Sequence, residues 1–121
     1  MSAERRQAPR VAERVTLAIR EPGAPIQTET HNLSTIGAYC TVDRFISPMT
    51  KLQLQFDVPN GGRVAPIRCT GVVVRVDPAV SPAGRATYRM GIFFTEITEQ
   101  DRAVIAQFVR DRIARRTSSA A

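Results

Sequence analysis

The sequence predicts a mainly β fold: a six-stranded antiparallel barrel with a C-terminal α-helix and a flexible N-terminal arm. Three observations carry this. Short runs of alternating apolar and polar residues recur at hairpin spacing. Clusters of Gly, Pro, Asn and Asp separate them. Only one segment, near the C-terminus, has a helical apolar period. Closing such strands into a barrel removes exposed edges, and the helix would plug one end or cover one flank. At 121 residues the chain can bury one core but not two.

Residues 1–10 are polar and lack a hydrophobic period, as expected of a mobile arm. In the first strand Val15, Leu17 and Ile19 alternate with Thr16, Ala18 and Arg20. Glu21-Pro22-Gly23-Ala24-Pro25 ends it, and a second strand runs from Ile26 to Leu33. Gly37 separates that strand from a third, Ala38 to Val42, which leads into a loop through Asp43 and Pro48. Leu52, Leu54, Phe56 and Val58 alternate along the fourth, and Pro59-Asn60-Gly61-Gly62 is a turn signal. The fifth is a β-branched run from Ile67 to Val76, with Gly71 marking a bulge or tight bend. Asp77 to Gly84 has the composition of a surface loop, and Tyr88 to Phe94 forms the last strand.

Thr98 can cap the helix, with Asp101 three residues on in the manner of a capping box. Val104, Ile105, Phe108, Val109 and Ile113 form its apolar stripe. Arg110, Arg112, Arg115 and Arg116 gather towards its C-terminal end, where positive charge suits the helix dipole. The barrel and helix thus occupy residues 11–116, and residues 117–121 are expected to fray.

The formal charge of +6 points to acidic or phosphate-bearing partners. It comes from sixteen arginines and a single lysine, Lys51, and arginine's planar fork matches phosphate and stacks on flat rings. GC-rich coding also favours arginine, so position has to carry the argument. Cys40 and Cys69 sit inside apolar runs, too few for a disulfide framework and too far apart for a metal clip. His31 is the only histidine, and neither a metal nor a cofactor is expected. No paired catalytic carboxylates, nucleophile–base pair or phosphate-cradling Gly loop points to an enzyme. No apolar run is long enough to cross a membrane, and the N-terminus lacks a secretory pattern, so the expected location is cytoplasmic.

Two clusters carry chemistry. Arg5-Arg6-Gln7-Ala8-Pro9-Arg10 contains the pair Arg6 and Arg10 at Arg-x-x-x-Arg spacing, just ahead of the first strand. Asn32-Leu33-Ser34-Thr35-Ile36-Gly37 is an Asn-x-Ser-x-x-Gly turn between the second and third strands. Each is common alone. Together, in this order and on this strand pattern, they resemble the PilZ domain family, bacterial β-barrels that bind the second messenger cyclic di-GMP. The Met90-Gly91-Ile92-Phe93 segment is similar to the family's last strand.

The resemblance implies a cyclic di-GMP receptor. Arg6 and Arg10 match the ligand-gripping arginines, while Asn32, Ser34 and Gly37 match the turn motif, with Asn in place of the commoner Asp. An arginine fork can bond bidentately to a phosphate or to the guanine O6/N7 edge. The Asn32 amide and Ser34 hydroxyl can address a guanine edge or phosphate, and Gly37 would permit an otherwise costly backbone or a close approach to the ligand. Arg5 implies two intercalated cyclic di-GMP molecules rather than one. Arg75 offers a stacking face, although an outward-facing barrel arginine is the simpler reading. Ligand would order the arm on the barrel and so change a surface for a downstream protein. Two alternatives are a PilZ-like adaptor acting by protein contacts without ligand, and a basic-barrel nucleic-acid binder. The second fits less well: there is no Trp, and most of the seven Phe and Tyr fall at core positions.

Overall fold

The structure is a computed structural model, and it describes residues 9–120 apart from residue 22. Six strands are followed by one helix: β1 (Thr16–Glu21), β2 (Ile26–Leu33), β3 (Gly37–Val42), β4 (Lys51–Asn60), β5 (Arg63–Val80), β6 (Ala86–Glu96) and α1 (Glu99–Ala120). The sheet is the predicted closed barrel, in the order β1-β2-β3-β6-β5-β4, and every pairing is antiparallel.

Gly61 and Gly62 turn β4 into β5 with φ of 60° and 83°, the left-handed pair a two-residue hairpin requires. β5 is far longer than the predicted Ile67–Val76, since it also takes in residues 63–66 and residues 77–80, the latter read as loop. Its first part pairs with β4 as far as Val72, and its last part pairs with β6 from Thr70 onwards. Pro66 and Pro78 therefore each fall where β5 has one neighbour, so a missing N–H disrupts no ladder. The register shifts between Thr70 and Gly71 as the sequence predicts, and a β-carbon on Gly71 would lie 2.6 Å from the Ile92 side chain.

Inward residues of all six strands fill the barrel, with Leu17, Leu52, Ile67 and Met90 fully buried and Phe56 stacked on Phe94 at 5.9 Å. Ile105, Phe108 and Val109 of α1 complete this core, whereas Ile113, expected in the same stripe, is exposed. The Thr98 hydroxyl accepts the Asp101 amide at 3.1 Å, as predicted for the cap. The helical backbone continues through Ala120, so the last turn carries no basic residue. The arginines expected to compensate the dipole lie upstream: Arg110 donates to Gln107, and Arg112 pairs with Glu13.

Candidate ligand-binding site

Ser34 organises the turn between β2 and β3. Its hydroxyl accepts the amides of Ile36 and Gly37, both at 3.2 Å, and donates to the Gly37 carbonyl at 3.3 Å. Its own amide also donates to that carbonyl. The side chain is fully buried. The hydroxyl expected to face a ligand is therefore consumed inside the turn. Gly37 departs from expectation in a similar way. A β-carbon there would meet the Ile92 carbonyl oxygen at 2.2 Å, so the close approach it permits is to β6. The turn is anchored from that side too, by Phe94 N donating to Ile36 O at 2.8 Å.

Asn32 stands at the mouth of the turn, beyond a bulge that separates it from Thr30. Its Oδ1 is shielded and has no hydrogen-bond partner among the described residues. Such an acceptor is unfavourable unless something donates to it.

Arg10 reaches the same place through its neighbour. Val11 and Leu33 exchange backbone hydrogen bonds of 3.1 and 3.0 Å, forming an isolated antiparallel bridge. In an antiparallel pair this sets exposed Arg10 across from Ser34. Thr30 fixes the next residues. Its hydroxyl accepts the Val15 amide at 3.0 Å and donates to the Glu13 carbonyl at 2.7 Å, and its amide donates to the Val15 carbonyl. Arg5 and Arg6 lie outside the described residues.

Sequence reasoning did not find the outer face that continues from the turn. Asn32 pairs with Tyr39, Tyr39 with Gly91, and Gly91 with Arg75, giving one row across four strands. A β-carbon on Gly91 would lie 3.6 Å from Arg75 Cβ and 3.8 Å from Tyr39 Cδ1. With Val74 Cγ2 at 3.7 Å as well, these are ordinary contacts, so Gly91 lies closely flanked by an aromatic ring and an arginine. Arg75 Nε is held by Asp77 Oδ2 at 2.8 Å. The His31 ring lies 6.2 Å from that of Tyr39, and its Nε2 shares a 2.6 Å hydrogen bond with Thr41 Oγ1. His31 and Thr41 also line a groove of 300 Å³ with Arg14 and Glu29. A broader concavity of 510 Å³ continues from Thr28 and Thr41 towards Arg44. The face thus offers exposed cations, a flat ring and an unpartnered acceptor, groups that suit a planar, phosphate-bearing ligand.

Among solved structures, the Bacillus subtilis inhibitor of motility (MotI/DgrA) matches with a TM-score of 0.77 at 22% identity, over 92% of this chain and 53% of its own. The PilZ domain of YcgR from Escherichia coli, solved with c-di-GMP, matches with a TM-score of 0.69 at 11% identity, over 97% of this chain and 99% of its own. The K. pneumonia MrkH–c-di-GMP complex gives 0.73 at 16% identity, over 94% of this chain and 55% of its own. This chain therefore spans about half the length of MotI and MrkH, and at these identities the likeness is one of fold. No curated protein matches it in sequence. The PilZ domain profile matches residues 4–111, taking in both motifs, all six strands and the first half of α1, and the chain belongs to the PilZ domain family.

Proposed function

We propose that the protein is a cyclic di-GMP receptor in which ligand binding orders the N-terminal arm against the barrel. The observation that carries this is the Val11–Leu33 bridge, which fixes the root of the arginine arm beside the Asn32–Gly37 turn. Arg10 and the turn are separated by more than twenty residues, yet the bridge sets Arg10 across from Ser34. Family membership and the cyclic di-GMP complexes of the YcgR domain and MrkH support the ligand.

In this reading Arg6 and Arg10 grip phosphate or the guanine O6/N7 edge from the arm. Asn32 Oδ1 accepts from a guanine N–H, which relieves its lack of a partner. Ser34 and Gly37 act indirectly: they hold the turn so that Asn32 presents its amide. A flat ring would stack on the outer row of Tyr39, Gly91 and Arg75. Arg5 favours two ligand molecules per chain. The protein acts as a binding module, and the ordered arm alters a surface for a downstream protein.

Calorimetric titration with cyclic di-GMP, and with cyclic di-AMP as a control for the base, tests this. Binding of cyclic di-GMP alone is expected, with a stoichiometry of two. Arg6→Ala and Arg10→Ala should each cost about 2 kcal/mol, roughly thirtyfold in affinity. Absence of heat with the unmodified protein, or unchanged affinity in both variants, would refute the reading.

A further inference from the structure

Two arginines of α1 reach the ligand site from behind. Arg102 Nη1 donates to the carbonyl of Thr35, inside the signature turn, at 2.8 Å. The next carbonyl, that of Ile36, is held by β6. One helix arginine and one strand amide thus fix two consecutive peptides of the turn. At the other end, Arg112 Nε and Glu13 Oε1 form an ion pair at 3.2 Å without hydrogen-bond alignment, their side chains 21% and 35% exposed. Glu13 belongs to the arm root, since its carbonyl accepts the Thr30 hydroxyl. The Arg112 guanidinium also lies 4.8 Å over the Phe108 ring, which is buried in the core.

Ten residues of α-helix span roughly 15 Å. Between the two arginines, Ile105, Phe108 and Val109 are buried in the barrel. Close-packed side chains do not slide continuously, so α1 moves as a body or not at all. A shift of the turn would be felt at Arg102, and a shift of the arm root at Arg112.

We propose that Arg102 and Arg112 are positioning residues that tie both halves of the ligand site to one helix. Docking of α1 and binding of cyclic di-GMP are thereby linked. The inference rests on the ligand reading above and deepens it by identifying where occupancy is transmitted. Linkage is reciprocal: if ligand firms the turn and arm root, it firms α1, and whatever grips α1 changes ligand affinity. Arg102 makes a charge-assisted bond whose fork geometry fixes direction as well as distance.

The experiment combines calorimetry with hydrogen exchange on the full chain, with and without cyclic di-GMP. In the unmodified protein, ligand should slow exchange at residues 11–15, at residues 32–37 and along α1 from Arg102 to Arg112. Arg102→Ala and Arg112→Ala should bind roughly fivefold more weakly or worse and lose the α1 protection. Arg102→Lys keeps one donor and should recover most of it, and Arg112→Gln keeps a stem over Phe108 in case the alanine variant folds poorly. Arg110→Ala, which loses only a bond to Gln107, should change neither readout. If the arginine variants fold, bind as tightly as the unmodified protein and keep the same α1 protection, the coupling is overturned. If the unmodified protein gives no heat at all, the ligand reading fails first and this inference with it.

Discussion

Gly37 and Ile92 are in such close register that a β-carbon on the glycine would sit 2.2 Å from the isoleucine's carbonyl oxygen. The obstacle is backbone at the start of the β3–β6 ladder, where Gly37 pairs with Phe93 and Ala38 with Ile92. It cannot turn aside as a flexible side chain would. Gly37→Ala should therefore cost about 3 kcal/mol and displace the turn. Urea unfolding monitored by circular dichroism checks this; a midpoint within error of the unmodified protein would contradict it.

Thr30 is a buried hydroxyl with two backbone partners in the arm root. Thr30→Val keeps the shape and strands the Val15 amide and the Glu13 carbonyl, at a cost of about 2 kcal/mol. Thr30→Ser should recover most of it. The specific sign is faster hydrogen exchange at Val15, with β4 and β5 unaffected.

Asn32→Asp should move affinity and stability in opposite directions. A carboxylate accepts guanine N–H groups about twice as strongly as an amide, so cyclic di-GMP binding should tighten on the order of tenfold. In the free protein the same charge replaces a shielded, unpartnered oxygen, and stability should fall by about 1 kcal/mol. Weaker binding by the Asp variant would show that this position does not face a guanine donor.

Met49 adopts φ of 73°, a left-handed conformation that costs a non-glycine residue about 1 kcal/mol or more. Its amide donates to the Val73 carbonyl at 2.7 Å, so the turn is held in place regardless of the side chain. Met49→Gly should relieve that strain, and the added freedom of the unfolded chain offsets part of the gain. A rise in Tm of about 2 °C is expected by scanning calorimetry; a fall would mean that the exposed methionine makes contacts that matter.

Burial pushes the thiols of Cys40 and Cys69 up from 9.0 to about 12, helped at Cys69 by Asp101 and opposed by Arg102. The folded state therefore holds on to protons that the unfolded chain releases. This contribution is fully present below pH 9 and is lost as pH rises towards about 12. At pH 8 neither cysteine should react with a thiol reagent until the protein unfolds. Rapid labelling of the native protein would contradict the burial of both.

The sequence made the strand alternation, the glycine turn, the Thr98 cap and the two motifs readable, because each depends on neighbours a few residues apart. The true extent of β5 was hidden, because Pro66 and Pro78 signal a break unless the barrel's shear leaves them one-sided. The structural roles of Ser34 and Gly37 were hidden for a related reason. Their partners are the turn itself and β6, and a motif held in common does not say which of its members touch a ligand. Thr30 did leave a trace, since it shares the inward parity of buried Ile26 in β2. Nothing in the chain's order announces that Arg102 meets Thr35, or that Tyr39, Gly91 and Arg75 share a row; both follow only from closing the sheet.

The isolated Val11–Leu33 bridge has a consequence for time scales. The ladders close into a ring, so breaking them amounts to opening the domain, whereas the bridge has two hydrogen bonds and can open locally. Ligand would then leave when the arm root frays, at a rate set by a small local barrier. The scaffold's lifetime would be set separately, by the cooperative core. A cell could in this way have a receptor that empties quickly when messenger levels fall, without ever risking its fold.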